Sequence, residues 1–190
     1  RHTTLPYEFV CFTDDKRGIN SNITTIPLKE GHGMHGWWYK PMFFDKNFPL
    51  QGNILFFDLD VIIHDNIDKL LTFNNTGFSI CRDFNRSIRN DWNHFNSSIF
   101  KLYTGSLAYV YDEFVKDSSK WMRKFHGDQD WINAQVKDKG SQYQFWPDNW
   151  IRSYKWEMRD RKDLARINGY RNFTNKAEPR IIRESCVAVF

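Results

Sequence analysis

The sequence predicts an α/β fold with a mostly parallel central sheet, in a single domain spanning residues 1–190. Two observations carry this. Short apolar runs closed by turn residues recur along the chain with helix-period stretches between them, the pattern of strands and crossover helices. Residues 53–57, Asn-Ile-Leu-Phe-Phe, are an apolar run with no polar alternation, as expected of a strand buried on both faces. At 190 residues the chain is one domain or most of one, long enough for a real core. It opens with Arg1 and stops at Phe190 within an apolar run, and so reads as a domain cut at both ends.

Each element has a local reason. Residues 7–13 read as a strand, closed by the Asp-Asp-Lys-Arg-Gly turn at 14–18. Residues 31–36 form a Gly- and His-rich loop; its two histidines, His32 and His35, lack a third ligand and a fixed frame for a metal. Residues 36–44 read as a short helix, with Pro41 near the first turn, where proline is tolerated. Trp37 and Trp38 read there as core, and Lys40 as a lone cation that needs an anionic partner. After the apolar run come one or two helical turns at 66–71, and strands at 78–81 and 95–100. Residues 106–125 show helical spacing interrupted near 116–119, and a further helix starts at 127–133 with Asp128 as its N-cap. A strand at 142–146 is closed by Pro147-Asp148, residues 151–171 read as irregular surface, and 184–190 as the last strand.

Composition narrows the function. Aromatics make up 17% of the chain, including eight Trp, which suits a core plus a cleft for flat or sugar-like ligands. A net charge of +4 fits an anionic small molecule but is not the concentrated basic face of a nucleic-acid binder. No apolar run approaches the roughly 18 residues of a transmembrane helix. Cys11, Cys81 and Cys186 are odd in number and lack metal spacing; they read as free buried thiols in a reducing compartment, pointing to the cytoplasm. Asn22, Asn74, Asn85, Asn96 and Asn172 open glycosylation sequons, weak signals in an Asn-rich chain.

The candidate chemistry centres on Asp58-Leu59-Asp60, directly after the apolar run. Two carboxylates at the end of a buried strand are costly unless a positive group neutralises them. In open α/β sheets ligands lie beyond the carboxyl ends of the strands. A hard cation, Mg²⁺ or Mn²⁺, shared between these carboxylates and a substrate's phosphates meets both conditions. Thr13 and Asp14 would stand at the same sheet edge, though a plain polar turn is the favoured reading of them.

These stretches resemble the GT-A glycosyltransferases of the glycogenin and lipopolysaccharide-galactosyltransferase type. Residues 9–14, Phe-Val-Cys-Phe-Thr-Asp, resemble the second strand of that fold, and Lys40 the lysine on the helix before the Asp-x-Asp. Asp58-Leu59-Asp60 resembles the Asp-x-Asp itself. Phe95-Asn96-Ser97-Ser98 resembles the Phe-Asn-Ser/Ala-Gly strand, with Ser98 where the family usually has Gly. Gly127-Asp128-Gln129 resembles the start of the donor-sugar helix. The resemblance implies a Rossmann-like three-layer sandwich, a nucleotide-diphosphate-sugar donor such as a UDP-sugar, a carbohydrate acceptor, and Mn²⁺ or Mg²⁺. It further implies that Asp58 and Asp60 hold the metal, with Thr13, Asp14, Lys40, Leu59, Asn96 and Ser97 lining the donor site. Asp128 and Gln129 would act on the transferring sugar, and family likeness alone suggests a retaining transfer. The family's first strand would precede Arg1, and its third metal ligand, a His, would follow Phe190. Two other readings fit an Asp-x-Asp after an apolar strand or a Trp-rich chain: a haloacid-dehalogenase-type phosphatase with Asp58 as nucleophile, and a non-catalytic carbohydrate-binding module.

Overall fold

Seven strands, three α-helices and a 3-10 helix set the frame around the Asp-x-Asp turn in the computed structural model. It describes residues 2–28, 31–73, 77–159, 180 and 182–190, and the backbone alone of 164–167 and 170–173. The main sheet is built from β3 (Asn53–Phe57), β5 (Phe78–Arg82), β6 (Phe95–Tyr103) and β7 (Tyr143–Phe145), in the order β3-β6-β5-β7. β6 is antiparallel to both β3 and β5, and β7 is parallel to β5. Three of the four strands therefore run the same way, with β6 reversed between them, and their carboxyl ends share one edge.

The expectation that β3 is buried on both faces is corrected. Among the described strands β3 pairs only with β6, at the end of the sheet. Only Ile54 is buried; Leu55, Phe56 and Phe57 are half-buried and Asn53 is exposed. Its apolar run reflects packing on the aromatic core: the Phe56 ring stacks on Phe100 at 4.7 Å and meets Phe43 edge-on at 4.7 Å. Large aromatic pairs of this geometry stabilise beyond the area they bury.

The sheet is covered on both faces. On one lie a 3-10 helix at Gly36–Phe44 and the helices α2 (Tyr109–Lys116) and α4 (Asp128–Asp138), packed around Phe44, Phe100, Phe114 and Trp131. On the other lie α1 (Asp68–Thr72) and a second sheet in which β11 (Val187–Val189) sits between β4 (Val61–Ile63) and β8 (Ile151–Ser153). Side chains alternate accordingly: Phe78 and Ile80 of β5 join the first core, and Cys81 the second. Lys101 on β6 is buried, and its ammonium donates to the carbonyls of Leu71 and Phe73, capping α1.

The remaining elements refine the sequence reading. The predicted strand at 7–13 is confined to β1 (Val10–Phe12), which pairs in parallel with β2 (Thr24–Ile26) in a separate two-stranded sheet. The helical stretch at 106–125 divides into α2 and α3 (Ser118–Lys124); Asp117 leaves helical geometry (φ −159°, ψ 67°) and its carboxylate accepts the Lys120 N–H. The stretch read as irregular surface from 151 onward contains β8, then a π-helical turn at Tyr154–Met158, and Ile151, Ser153 and Met158 are buried. β9 (Leu164–Ile167) and β10 (Tyr170–Phe173) form an antiparallel hairpin. Asn74 lies outside the described residues, as does the side chain of Asn172; Asn22 and Asn85 are exposed, while Asn96 is half-buried in β6.

Candidate functional site

At the carboxyl end of β3 the chain turns through Asp58, Leu59 and Asp60 into β4. The turn is pinned on both sides: the Asp58 N–H donates to the Ser98 carbonyl (2.8 Å), and the Phe190 N–H donates to the Asp60 carbonyl (3.0 Å). Leu59 is fully solvent-exposed at the tip, and Asp60 is exposed beside it, while Asp58 turns inward.

Asp58 meets Lys40 there. Lys40 is buried, and its ammonium donates to Asp58 Oδ2 (2.7 Å) and Ser97 Oγ (3.1 Å) and stands 3.4 Å from Asp128 Oδ2. Ser97 donates to the same Asp128 oxygen (2.6 Å). Side chains from four separate segments thus gather around one cation: Lys40, Ser97 and Asp128 close a triangle, and Asp58 joins it through Lys40. This answers the sequence expectation that Lys40 needs an anionic partner; it has two.

Local irregularity delivers Ser97. Along the β5–β6 ladder Ile80 pairs with Phe100, yet Cys81 pairs with Asn96, so residues 97–99 bulge out of register. Bulges beside functional sites re-aim side chains in this way. Small residues tolerate the distortion, and Asn96 braces it by accepting the Ser98 N–H (3.1 Å).

Asp128 is not the N-cap expected from sequence. Gly127 holds that position with extended backbone and no capping side chain, and Asp128 is the first residue of α4. Its carboxylate is committed to Ser97 and Lys40 instead, and is 4% exposed.

The electrostatics leave a surplus of negative charge. Burial raises the Asp58 carboxyl above the usual range, and Asp128 and Asp60 add to this, while Lys40 opposes it. Burial likewise raises Asp128, against the pull of Lys40 and Ser97. One ammonium serves two carboxylates, Asp128 buried and Asp58 half-buried, with a third, Asp60, alongside.

That surplus bears on the metal implied by the resemblance. Among the described residues no three of His, Cys, Asp and Glu gather as a protein-only metal cage. Two carboxylates flanking a turn are instead the donor set of a hard cation whose other ligands are phosphate oxygens and water. Asp58 and Asp60 fit that role.

The other candidates divide. Asn96 and Gln129 are half-buried immediate neighbours of Ser97 and Asp128. Thr13 and Asp14 follow β1 in the separate sheet, where Thr13 bonds to Ile26 and Asp15; the structure does not join them to the cluster. Trp37 corrects the core reading. Trp38 is 4% exposed, but Trp37 is 58% exposed. In a 3-10 helix positions three apart eclipse, so Trp37 shares the Lys40 face, and a Cβ at Gly127 would lie 3.6 Å from its indole Nε1. Its nearness to the site was hidden because helix type, not composition, sets that alignment.

No protein-family model matches the chain, and no curated protein matches it. Among solved structures it is similar to the glycosyltransferase GlyE of Streptococcus pneumoniae TIGR4, at 16% identity and a TM-score of 0.52, over 68% of this chain and 33% of GlyE. The apo form of GlyE gives 17% identity and a TM-score of 0.46, over 68% of this chain and 32% of that one. The galactosyltransferase LgtC in complex with donor and acceptor sugar analogs gives 14% and 0.49, over 74% of this chain and 58% of LgtC. The chain spans about a third of the length of GlyE. Its α/β fold is the fold of that glycosyltransferase, in keeping with the GT-A resemblance read from the Asp-x-Asp.

Proposed function

We propose that the chain carries the donor-binding centre of a metal-dependent glycosyltransferase, moving a sugar from a nucleotide-diphosphate-sugar, a UDP-sugar for preference, to a carbohydrate acceptor. The observation that carries this is the cluster of Asp58, Ser97 and Asp128 around Lys40 at the edge where the strands end, with Asp60 exposed next to it. The glycosyltransferase fold supports it.

The chain's own residues divide the work. Asp58 and Asp60 would hold Mn²⁺ or Mg²⁺, which supplies charge stabilisation to the departing diphosphate. Lys40 adds a fixed cation at the same place, in a site where solvent does not screen it. Ser97 and Lys40 orient the Asp128 carboxylate toward hydroxyls of the transferring sugar, with Asn96 and Gln129 on either side. Leu59 and Trp37 offer apolar faces to the base, ribose or sugar ring.

The test is calorimetric. UDP should bind the protein only when Mn²⁺ is present, and Asp60→Asn should remove that binding while circular dichroism stays unchanged, because Asp60 is exposed. UDP binding that ignores Mn²⁺, or survives in Asp60→Asn, would overturn the assignment. Hydrolysis of a simple phosphate ester with no sugar transfer would favour the phosphatase reading instead.

A further inference from the structure

We infer that Trp37 is the surface on which the ring of the transferring sugar stacks, and that this sugar is an uncharged pyranose. This rests on the transferase reading and specifies its donor. Trp37 is the second residue of the 3-10 helix Gly36–Phe44 and is exposed. Its neighbour Trp38 is buried and stacks on Phe114 at 5.6 Å. Among the described residues the Trp37 indole takes no hydrogen bond and meets no other ring, so the fold makes no polar or aromatic use of it. Single exposed apolar residues are ordinary on a protein surface; the position of this one sets it apart.

The contacts at the site run in order. Lys40 bonds to Asp58, the proposed metal ligand, and stands 3.4 Å from Asp128. Gly127 precedes Asp128, and it is Gly127 that the indole edge meets: a Cβ there would lie 3.6 Å from Trp37 Nε1 and 3.9 Å from Cδ1. Trp37 also stands one 3-10 turn before Lys40 on the same face, about 6 Å back along the axis. Both ties put the indole at the Asp128 side of Lys40, where the sugar hydroxyls would bond. Leu59 differs, because it tips the turn that would hold the metal. Gly127 keeps the space beside the indole open. Its backbone is extended (φ −166°, ψ 176°), which any residue adopts, so the backbone itself does not call for glycine. A pyranose presents C–H groups on its faces and hydroxyls around its rim. The negative face of an indole attracts such C–H groups, and Asp128 and Gln129 are placed to take the rim hydroxyls. Charge narrows the sugar further. Lys40 is already shared by Asp58 and Asp128, so a carboxylate on the sugar would add a like charge at this end.

Titration of the whole chain in Mn²⁺ with UDP, UDP-glucose, UDP-galactose, UDP-N-acetylglucosamine and UDP-glucuronate tests this. An uncharged sugar should give the tightest of the nucleotide-sugar complexes. Trp37→Ala should weaken that complex about tenfold and the UDP complex less than about twofold. Trp37→Phe, which keeps a ring, should recover most of the loss. Circular dichroism and melting temperature should not change in either variant, because the side chain is exposed. Gly127→Val, whose β-branched side chain suits extended backbone, should crowd the indole and reproduce the selective loss. If Trp37→Ala weakens UDP and the sugar nucleotide alike, the indole serves the base or ribose and the inference is overturned. Sugar-nucleotide binding untouched by both Trp37→Ala and Gly127→Val would overturn it too. UDP-glucuronate binding tightest would overturn the uncharged part. Absence of Mn²⁺-dependent UDP binding would sink the donor reading and this inference with it, whereas Mn²⁺–UDP binding without a selective loss of the sugar nucleotide sinks this inference alone.

Discussion

Replacing Lys40 by Met removes the one cation between Asp58 and Asp128 while keeping most of the side chain's volume, so packing changes little. Two carboxylates then face each other in a site where Asp128 is 4% exposed. Removing one partner of a buried pair costs about 3–5 kcal/mol. The Asp58 side chain is 24% exposed and can turn to water, which places the expectation near the lower end, about 3 kcal/mol at neutral pH. The pH dependence has a definite sign. Both carboxyls are raised above their unfolded values even with Lys40 present, so the folded state binds protons more readily. Their charged forms therefore oppose folding above the unfolded carboxylate range, and that opposition fades as pH falls through the raised folded values. Without Lys40 the shift grows, so the cost of Lys40→Met should shrink toward about 1 kcal/mol in mild acid, the worth of the lost hydrogen bonds. Urea unfolding followed by tryptophan fluorescence, with chelator present, measures both. A cost that stays the same at the two pH values, or falls below about 1 kcal/mol at neutrality, would refute the shared-cation account.

Further expectations follow from neighbouring contacts. Asp128→Ser should lower sugar transfer by about a hundredfold, or ~2.7 kcal/mol of transition-state stabilisation. Its melting temperature should change little, since the lost partner of Lys40 is offset by removing a disfavoured carboxylate; near-normal turnover would end the catalytic role. Burial pushes the Cys81 thiol up to about 12 and the Cys186 thiol up to about 11, so a thiol-reactive dye at neutral pH should label only half-exposed Cys11 in the native protein and all three in urea. Prompt native labelling of Cys81 or Cys186 would contradict that burial. Lys101→Met should destabilise by about 1–3 kcal/mol, because it leaves the Leu71 and Phe73 carbonyls without their donor; an unchanged unfolding midpoint would show that water replaces it.

Much of this was legible in the residues because the signals were local. Apolar runs closed by turn residues located β3, β5, β6 and β7, and the break near 116–119 was visible as polar residues in a helical period. Lys40 was marked by its isolation in an aromatic block, and Asp58 by its place after a strand. What stayed hidden depended on partners distant in sequence. The short strands β2, β4 and β8 have three residues each and hold their shape only through the strands they pair with. Asp128 looked like an N-cap because Asp before a helix usually is one; only the bulged β6 and Lys40 give it another use.

The hydrogen bond from Phe190 to the Asp60 carbonyl has a practical consequence for anyone handling the protein. β11 runs antiparallel to β4, with Val189 opposite Val61, so whatever is attached after Phe190 emerges beside the Asp-x-Asp turn. A polyhistidine purification tag placed there would put imidazoles within reach of the very cation that Asp58 and Asp60 are proposed to hold. It would then supply ligands of its own, and metal titrations would report the tag as much as the protein. The tag belongs at the amino terminus: His2 accepts the Ile67 N–H from its place beside the start of α1, on a different segment from the turn.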